Sequence, residues 1–325
     1  MSVFIIRRLM QSVVVIFIMT LIVFFGVMVI GNPVDILIGQ DCDGPCREKV
    51  IRSLGLHLPL HEQYLVFLKN ALKGELGNSF KAGIPATHLI LQRMPATLEL
   101  AFCSFLIAVG LGIPLGIWAG LRPESLSGKV IMGGSILGFS LPSFWVGVML
   151  MLLFAVELNW LPATGRGETV PVLGVEVSFL TLDGLRHLIL PAVNLALFKL
   201  SLMVRLTRAS VRENLLMDYI KFARAKGLSM NRIIFVHVLK NILIPIITVL
   251  GLELGNLIAF SVVTETIFAW PGMGKLLIDS IDVLDRPVVV AYLMITIFMF
   301  IMINLVVDIL YSLLDPRVRL GDIKQ

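Results

Sequence analysis

Charge is what this 325-residue sequence has least of. Asp, Glu, Lys and Arg make up 15% of it, hydrophobic residues 57%, and the mean hydropathy is +0.93. A soluble domain is about 25% charged and uses that polarity to cover its core. The shortage here excludes a soluble enzyme and a disordered binder. Three cysteines are too few for a disulfide-built scaffold. Catalytic signatures are missing as well, with no G-x-S-x-G and no H-E-x-x-H. Gly272-Met273-Gly274-Lys275 has a superficial likeness to a phosphate loop. It lacks the upstream glycine at the required spacing and the Ser or Thr that would follow the lysine and bind magnesium. The expectation is a chain that is not itself an enzyme and holds no metal or nucleotide.

What the sequence does contain is a series of long apolar runs, read as six spanning helices at residues 10–30, 96–119, 130–156, 188–204, 242–262 and 288–310. Each is near or above the ~18–20 residues that cross ~30 Å of hydrocarbon. None alternates as a barrel strand would. Pro114, Pro142, Pro191 and Pro245 fall in or at these runs, where packed neighbours can absorb a kink. The first run follows Arg7 and Arg8 but is longer than a signal-peptide core, and Gly31-Asn32-Pro33 is no small-x-small cleavage site; a retained span is expected.

Basic residues near the run ends set the orientation. Segment 205–240 holds Arg205, Arg208, Arg212, Lys221, Arg224, Lys226, Arg232 and Lys240 against only Glu213 and Asp218. The loop before the last run is acidic on balance, and the tail carries Arg317, Arg319 and Lys324. Both ends and 205–240 are therefore expected in the cytoplasm, which accounts for the +5 net charge without nucleic acid. Segment 31–95 then lies outside. Its Cys42 and Cys46 flank Asp43-Gly44-Pro45, a spacing that suits a small disulfide loop in an oxidising compartment, with free thiols as the alternative. The pair lacks the further ligands a zinc site needs. Cys103 reads as a small apolar residue of the second run. Residues 61–72 read as an amphipathic helix, with His57 and His61 as loop and helix-surface residues.

The stretch Asp218-Tyr219-Ile220-Lys221-Phe222-Ala223-Arg224-Ala225-Lys226-Gly227 predicts a short helix closed by Gly227 in the left-handed conformation. Ser229 is the expected cap of the next helix. Small residues at 223, 225 and 227 would let another surface approach closely. Such a knob can carry force from an attached protein; a basic loop resting on anionic lipid is the alternative. Lys199 and Glu253 fall deeper in runs four and five, at similar depth. They read either as an inter-helix ion pair or as lining of a path that meets the termini of a zwitterionic cargo. Glu99, Glu157 and Asp308 lie near run ends, where snorkelling or interfacial hydrogen bonds are expected. Trp270-Pro271-Gly272 predicts a tight turn at the outer mouth, as gate or scaffold.

The 218–227 string, followed by Leu239-Lys240-Asn241-Ile242-Leu243-Ile244-Pro245, resembles the EAA loop of type I ABC importer permeases, in the oligopeptide/dipeptide/nickel branch. Residues 5–8 with Gly31-Asn32-Pro33, Leu54-Gly55-Leu56 through 74–80, 265–274 and Asp315-Pro316-Arg317-Val318-Arg319 agree with that branch, in order along nearly the whole chain. The general EAA pattern opens with glutamate where this chain has Lys221. Its later I-x-L-P element reads His237-Val238-Leu239-Lys240, with the proline displaced to Pro245; the peptide branch is similar in both respects.

The resemblance implies an all-α polytopic membrane protein with six transmembrane helices, both termini cytoplasmic, in the type I ABC importer transmembrane fold. It implies a first helix plus ordered periplasmic loop over 1–93, a five-helix core over 94–312 with a coupling loop at 205–240, and a tail at 313–325. Asp218, Tyr219, Lys221, Ala223, Arg224, Ala225, Lys226 and Gly227 would form the coupling helix that docks on an ATPase. Glu265, Trp270, Pro271 and Gly272 would form an outer gate or scaffold. The implied partners are a second homologous permease, two ATPase subunits holding ATP and magnesium, an external substrate-binding protein and the bacterial inner membrane. Peptides or similar small solutes are the expected cargo. A self-sufficient secondary transporter or channel is the rival reading, and it would not need the knob.

Overall fold

A computed structural model describes residues 2–29, 44–53 and 55–314. The corner at 31–33, the Cys42–Cys46 pairing and the 315–319 motif lie outside the described residues. Hydrocarbon offers the backbone no water, so apolar segments satisfy their own N–H and C=O groups as helices. In chain order these are α1 (Ser2–Val29), α2 (Gly44–Ser53), α3 (Leu60–Leu72), α4 (Ala86–Leu121), α5 (Leu126–Ser140), α6 (Ser143–Met151), α7 (Leu182–Leu215), α8 (Asp218–Ala225), α9 (Leu239–Ile267), α10 (Met273–Asp282) and α11 (Arg286–Leu314). A small antiparallel hairpin of β1 (Val170–Val172) and β2 (Val175–Val177) joins α6 to α7 on the outer side. Leu173 and Gly174 turn it with φ of +52° and +81°, the positive values that a two-residue hairpin loop requires.

The helices α1, α4, α7, α9 and α11 are long and apolar enough to span a membrane singly. The third apolar run is not one straight span. It bends by 107° between α5 and α6. Pro142 has no N–H to continue the ladder and holds Leu141 in extended backbone, ψ 135°. Beyond α6 the chain widens into a π-helical turn over Leu152–Glu157. Pro191 and Pro245 sit inside α7 and α9, which continue past them, so counting apolar residues could not separate a broken run from a continuous one. At the other end, α4 begins well before its apolar run, and the 93/94 boundary falls inside a continuous helix.

The tightest contact in the bundle is α4 on α7. Ser104, Ala108, Gly112, Gly116 and Gly120 recur every fourth residue along one buried face of α4. A Cβ at Gly112 would sit 2.6 Å from the Met203 Cβ, and one at Gly116 2.5 Å from the Thr207 Cβ and 2.8 Å from the Val204 carbonyl oxygen. Without side chains there, the two backbones close on each other, which is how helices gain dispersion energy where lipid supplies no hydrophobic driving force. A core of Ile90, Leu100, Leu257, Trp270 and Met273 fills the outer half of the bundle. Met203, Val211, Ile220, Ile233 and Ile242 fill the inner half. Helix α1 lies against α11, where Arg8 pairs with Asp308 at 3.1 Å; Asp308 is therefore held by a neighbouring helix rather than snorkelling alone.

Replacing Gly116 with Ala should lower the melting temperature of the detergent-purified protein, because overpacking a tight contact costs about 1–3 kcal/mol. Gly133→Ala, with nothing within 4 Å of its added methyl, should leave it unchanged or raise it. Equal shifts for the two variants would show that the α4–α7 approach is not limiting.

Candidate coupling knob, path and outer anchors

Helix α7 ends at Leu215, and α8 turns back beneath the bundle. Tyr219 holds the corner. Its hydroxyl donates to Asn214 Oδ1 at 2.6 Å and accepts from Asn241 Nδ2 at 2.8 Å, joining the end of α7, α8 and the start of α9. Ile220 and Ala223 are buried against the inner core. Ala223 thus faces this chain's own interior and supports α8 rather than opening it to another surface. At the far end the Gly227 N–H donates to the Arg224 carbonyl at 2.9 Å and the Leu228 N–H to the Ala223 carbonyl at 3.2 Å, with Gly227 at φ +74°. That paired closure needs the left-handed backbone glycine supplies. The Ser229 backbone takes a capping conformation, but its side chain accepts no capping hydrogen bond.

The opposite face of α8 points away from the bundle. Asp218, Lys221, Phe222, Arg224, Ala225 and Lys226 are exposed there, Phe222 by 61%. Lys226 Nζ lies 4.6 Å from the Phe222 ring centroid. Lys221 donates to Asp218 at 2.8 Å, and this hydrogen bond, with the lysine's charge, holds the Asp218 carboxyl below the usual carboxylate range. The result is a firmly seated helix presenting one aromatic ring among mixed charges.

Within the bundle Lys199 on α7 and Glu253 on α9 form an ion pair. The rings of Phe198 and Phe260 flank the ammonium at 5.2 and 5.8 Å. Lys199 also lines a cavity of about 380 Å³ whose wall includes the bend at Leu141 and Pro142. Lys199 is thus both an ion-pair partner and a cavity-lining residue. Asn194 lines the same cavity and donates to Thr264 Oγ1 at 3.0 Å.

On the outer side three buried carboxylates hold the loops. Glu265, near the end of α9, accepts from Thr97 Oγ1 at 2.7 Å, Ser261 Oγ at 2.9 Å and the Lys275 N–H at 3.0 Å. It sits at the N-terminus of α10, where free N–H groups and the helix dipole favour an anion. Gly272 must be glycine: a Cβ would lie 2.4 Å from the Glu265 carboxyl carbon. Trp270 is fully buried and donates from Nε1 to the Ala96 carbonyl at 2.9 Å. These contacts tie the Trp270–Gly272 turn to α4. Glu99 is 6% exposed, not snorkelling; it accepts from Arg166 and from the Ser178 and Phe179 backbones, so it anchors the hairpin segment to α4. Asp285 accepts from Ser79 Oγ at 2.5 Å and the Phe80 N–H at 3.0 Å, tying the loop before α4 to the start of α11. Sequence reading passed over Asp285, Thr97, Arg166 and the α4 glycines. The available signals were acids at the outer ends of apolar runs and the four-residue glycine spacing.

Two family models cover most of the chain. Residues 112–320 match the binding-protein-dependent transport system inner membrane component, and residues 1–101 match the N-terminal membrane component of the same systems. The chain belongs to this permease family. It is 41% identical over 330 residues to the di/tripeptide transport system permease protein DppB of Pseudomonas aeruginosa (strain UCBPP-PA14), covering 97% of this chain and 98% of that one. It is 38% identical over 321 residues to the oligopeptide transport system permease protein AppB of Bacillus subtilis (strain 168), covering 98% and 100%. Among solved structures, the inward-facing MetNI methionine ABC transporter superposes with a TM-score of 0.51 at 15% identity, over 70% of this chain and 96% of that one. That likeness establishes a shared transmembrane fold. The permease is a multi-pass protein of the bacterial inner membrane.

Truncating Glu265 to Ala strands the donors of Thr97, Ser261 and Lys275, at roughly 1–3 kcal/mol for each one left unsatisfied. The permease should then melt earlier and be cleaved faster by protease between α9 and α10. Wild-type cleavage kinetics in the variant would mean that Glu265 does not organise this turn.

Proposed function

We propose that this permease pairs with a second, homologous permease to form the route by which di- or oligopeptides, or solutes of similar size, enter the cell. Two ATPase subunits, holding ATP and magnesium, dock on α8 and drive alternating access; an external binding protein delivers cargo to the outer face. The cargo class is supported by the relatives' names, which specify di/tripeptide and oligopeptide transport. The carrying observation is α8 itself. Its inner face is clamped to α7 and α9 through Tyr219, Ile220 and Ala223, while Phe222 and its charged neighbours are left outside the bundle. A lever built this way passes a push on its exposed face directly into two spanning helices. Alternating access then changes what the cavity lined by Lys199 faces.

Phe222→Asp should cut peptide uptake by more than tenfold and reduce co-purification of the ATPase subunits, while permease levels in the membrane stay normal; a single aromatic hot spot at an interface can carry about 2 kcal/mol or more. Full uptake by that variant, or full-rate transport by the permease reconstituted alone, would overturn the coupled reading. Glu253→Gln should slow uptake in a complex that still assembles. Unchanged uptake together with lost membrane expression would assign the ion pair to folding and not to the path.

A further inference from the structure

A wide groove lies away from the knob, the Lys199 cavity and the outer anchors. It measures about 1080 Å³ and runs between α1 and α11, walled mainly by apolar side chains such as Val14, Met19, Ile297 and Ile301. Arg7, Arg8, Gln11 and Ser12 gather at its cytoplasmic end, opposite Asp308. From Ile6 to Met19 on α1, and from Thr296 to Asp308 on α11, the lining residues cover about 20 Å at ~1.5 Å per residue. One leaflet with its headgroup layer is about 20–22 Å deep, whereas a spanning helix needs ~30 Å of apolar contact. The described part of the groove therefore matches the depth of one leaflet, as a lipid lying along it requires.

We propose that this groove is a binding site for an anionic phospholipid of the cytoplasmic leaflet. Two arginines against one aspartate leave a positive surplus at the headgroup end. Arg8 is already bridged to Asp308 at 3.1 Å, and Arg7 is exposed beside it. Basic pockets between helices on the cytoplasmic side select anionic headgroups by charge. Asn304 lines the groove about one helical turn below Asp308, and its buried Oδ1 has no hydrogen-bond partner among the described residues. A polar amide in an otherwise apolar wall is costly unless an occupant satisfies it, and the glycerol and ester region of a phospholipid reaches that depth. The site would fasten α1, mostly exposed along its length, to α11 through the lipid as well as through direct contact.

The test uses the permease purified with its natural partners and returned to bilayers. A tryptophan placed at Ile297 should be quenched more strongly by brominated phosphatidylglycerol than by brominated phosphatidylcholine. Arg7→Gln should weaken that preference about fivefold, and raised salt should do the same. Mass spectrometry of the complex without the added tryptophan should find retained phosphatidylglycerol that Arg7→Gln loses. Equal quenching by the two lipids, with no retained anionic lipid, would reduce the groove to ordinary lipid contact. No quenching by either lipid in an assembled complex would mean that protein fills it. Either result overturns the proposal.

Discussion

The close approach of α4 to α7 is the contact on which the rest of the permease is hung. Both helices extend beyond the membrane, α4 outward to Ala86 and α7 inward to Leu215. The outer anchors Thr97 and Glu99 project from α4, and α7 ends just before the turn into α8. Glycines at 112, 116 and 120 let the two backbones lock without intervening side chains. The pair therefore has α8 beside its cytoplasmic end and the loop-holding Thr97 and Glu99 toward its outer end.

Among the described residues, the buried carboxylates follow one rule. Each buried carboxylate is satisfied by several donors drawn from segments distant in sequence. Glu99 takes donors from Arg166 to Phe179, Glu265 from Thr97 to Lys275, and Asp285 from Ser79 to Lys81. Burying an unpaired carboxylate is far more costly than burying one fully hydrogen-bonded. These sites therefore specify which loops meet on the outer face. The Lys199–Glu253 pair differs because its lysine also lines a cavity.

The bend at Pro142 shows how irregular backbone is tolerated at membrane depth. A break between helices leaves unpaired backbone groups, which lipid could not satisfy but a cavity inside the bundle can accommodate. The wall of the 380 Å³ cavity includes that break. Transporters commonly place substrate contacts at interrupted helices for the same reason.

Composition and run length by themselves established a polytopic helical membrane protein, because no other architecture satisfies its backbone through stretches this apolar. Lys and Arg placement set the orientation, and the residue order around 218–227 marked a short helix with a glycine stop, since both depend on local chemistry. Tertiary structure decided the rest. Whether Pro142 breaks a run that Pro191 does not, whether Ala223 faces in or out, and which donors find Glu99 and Glu265 all depend on segments dozens to hundreds of residues apart. The chain must bring those segments together before their energies count, and no local pattern records that they will meet.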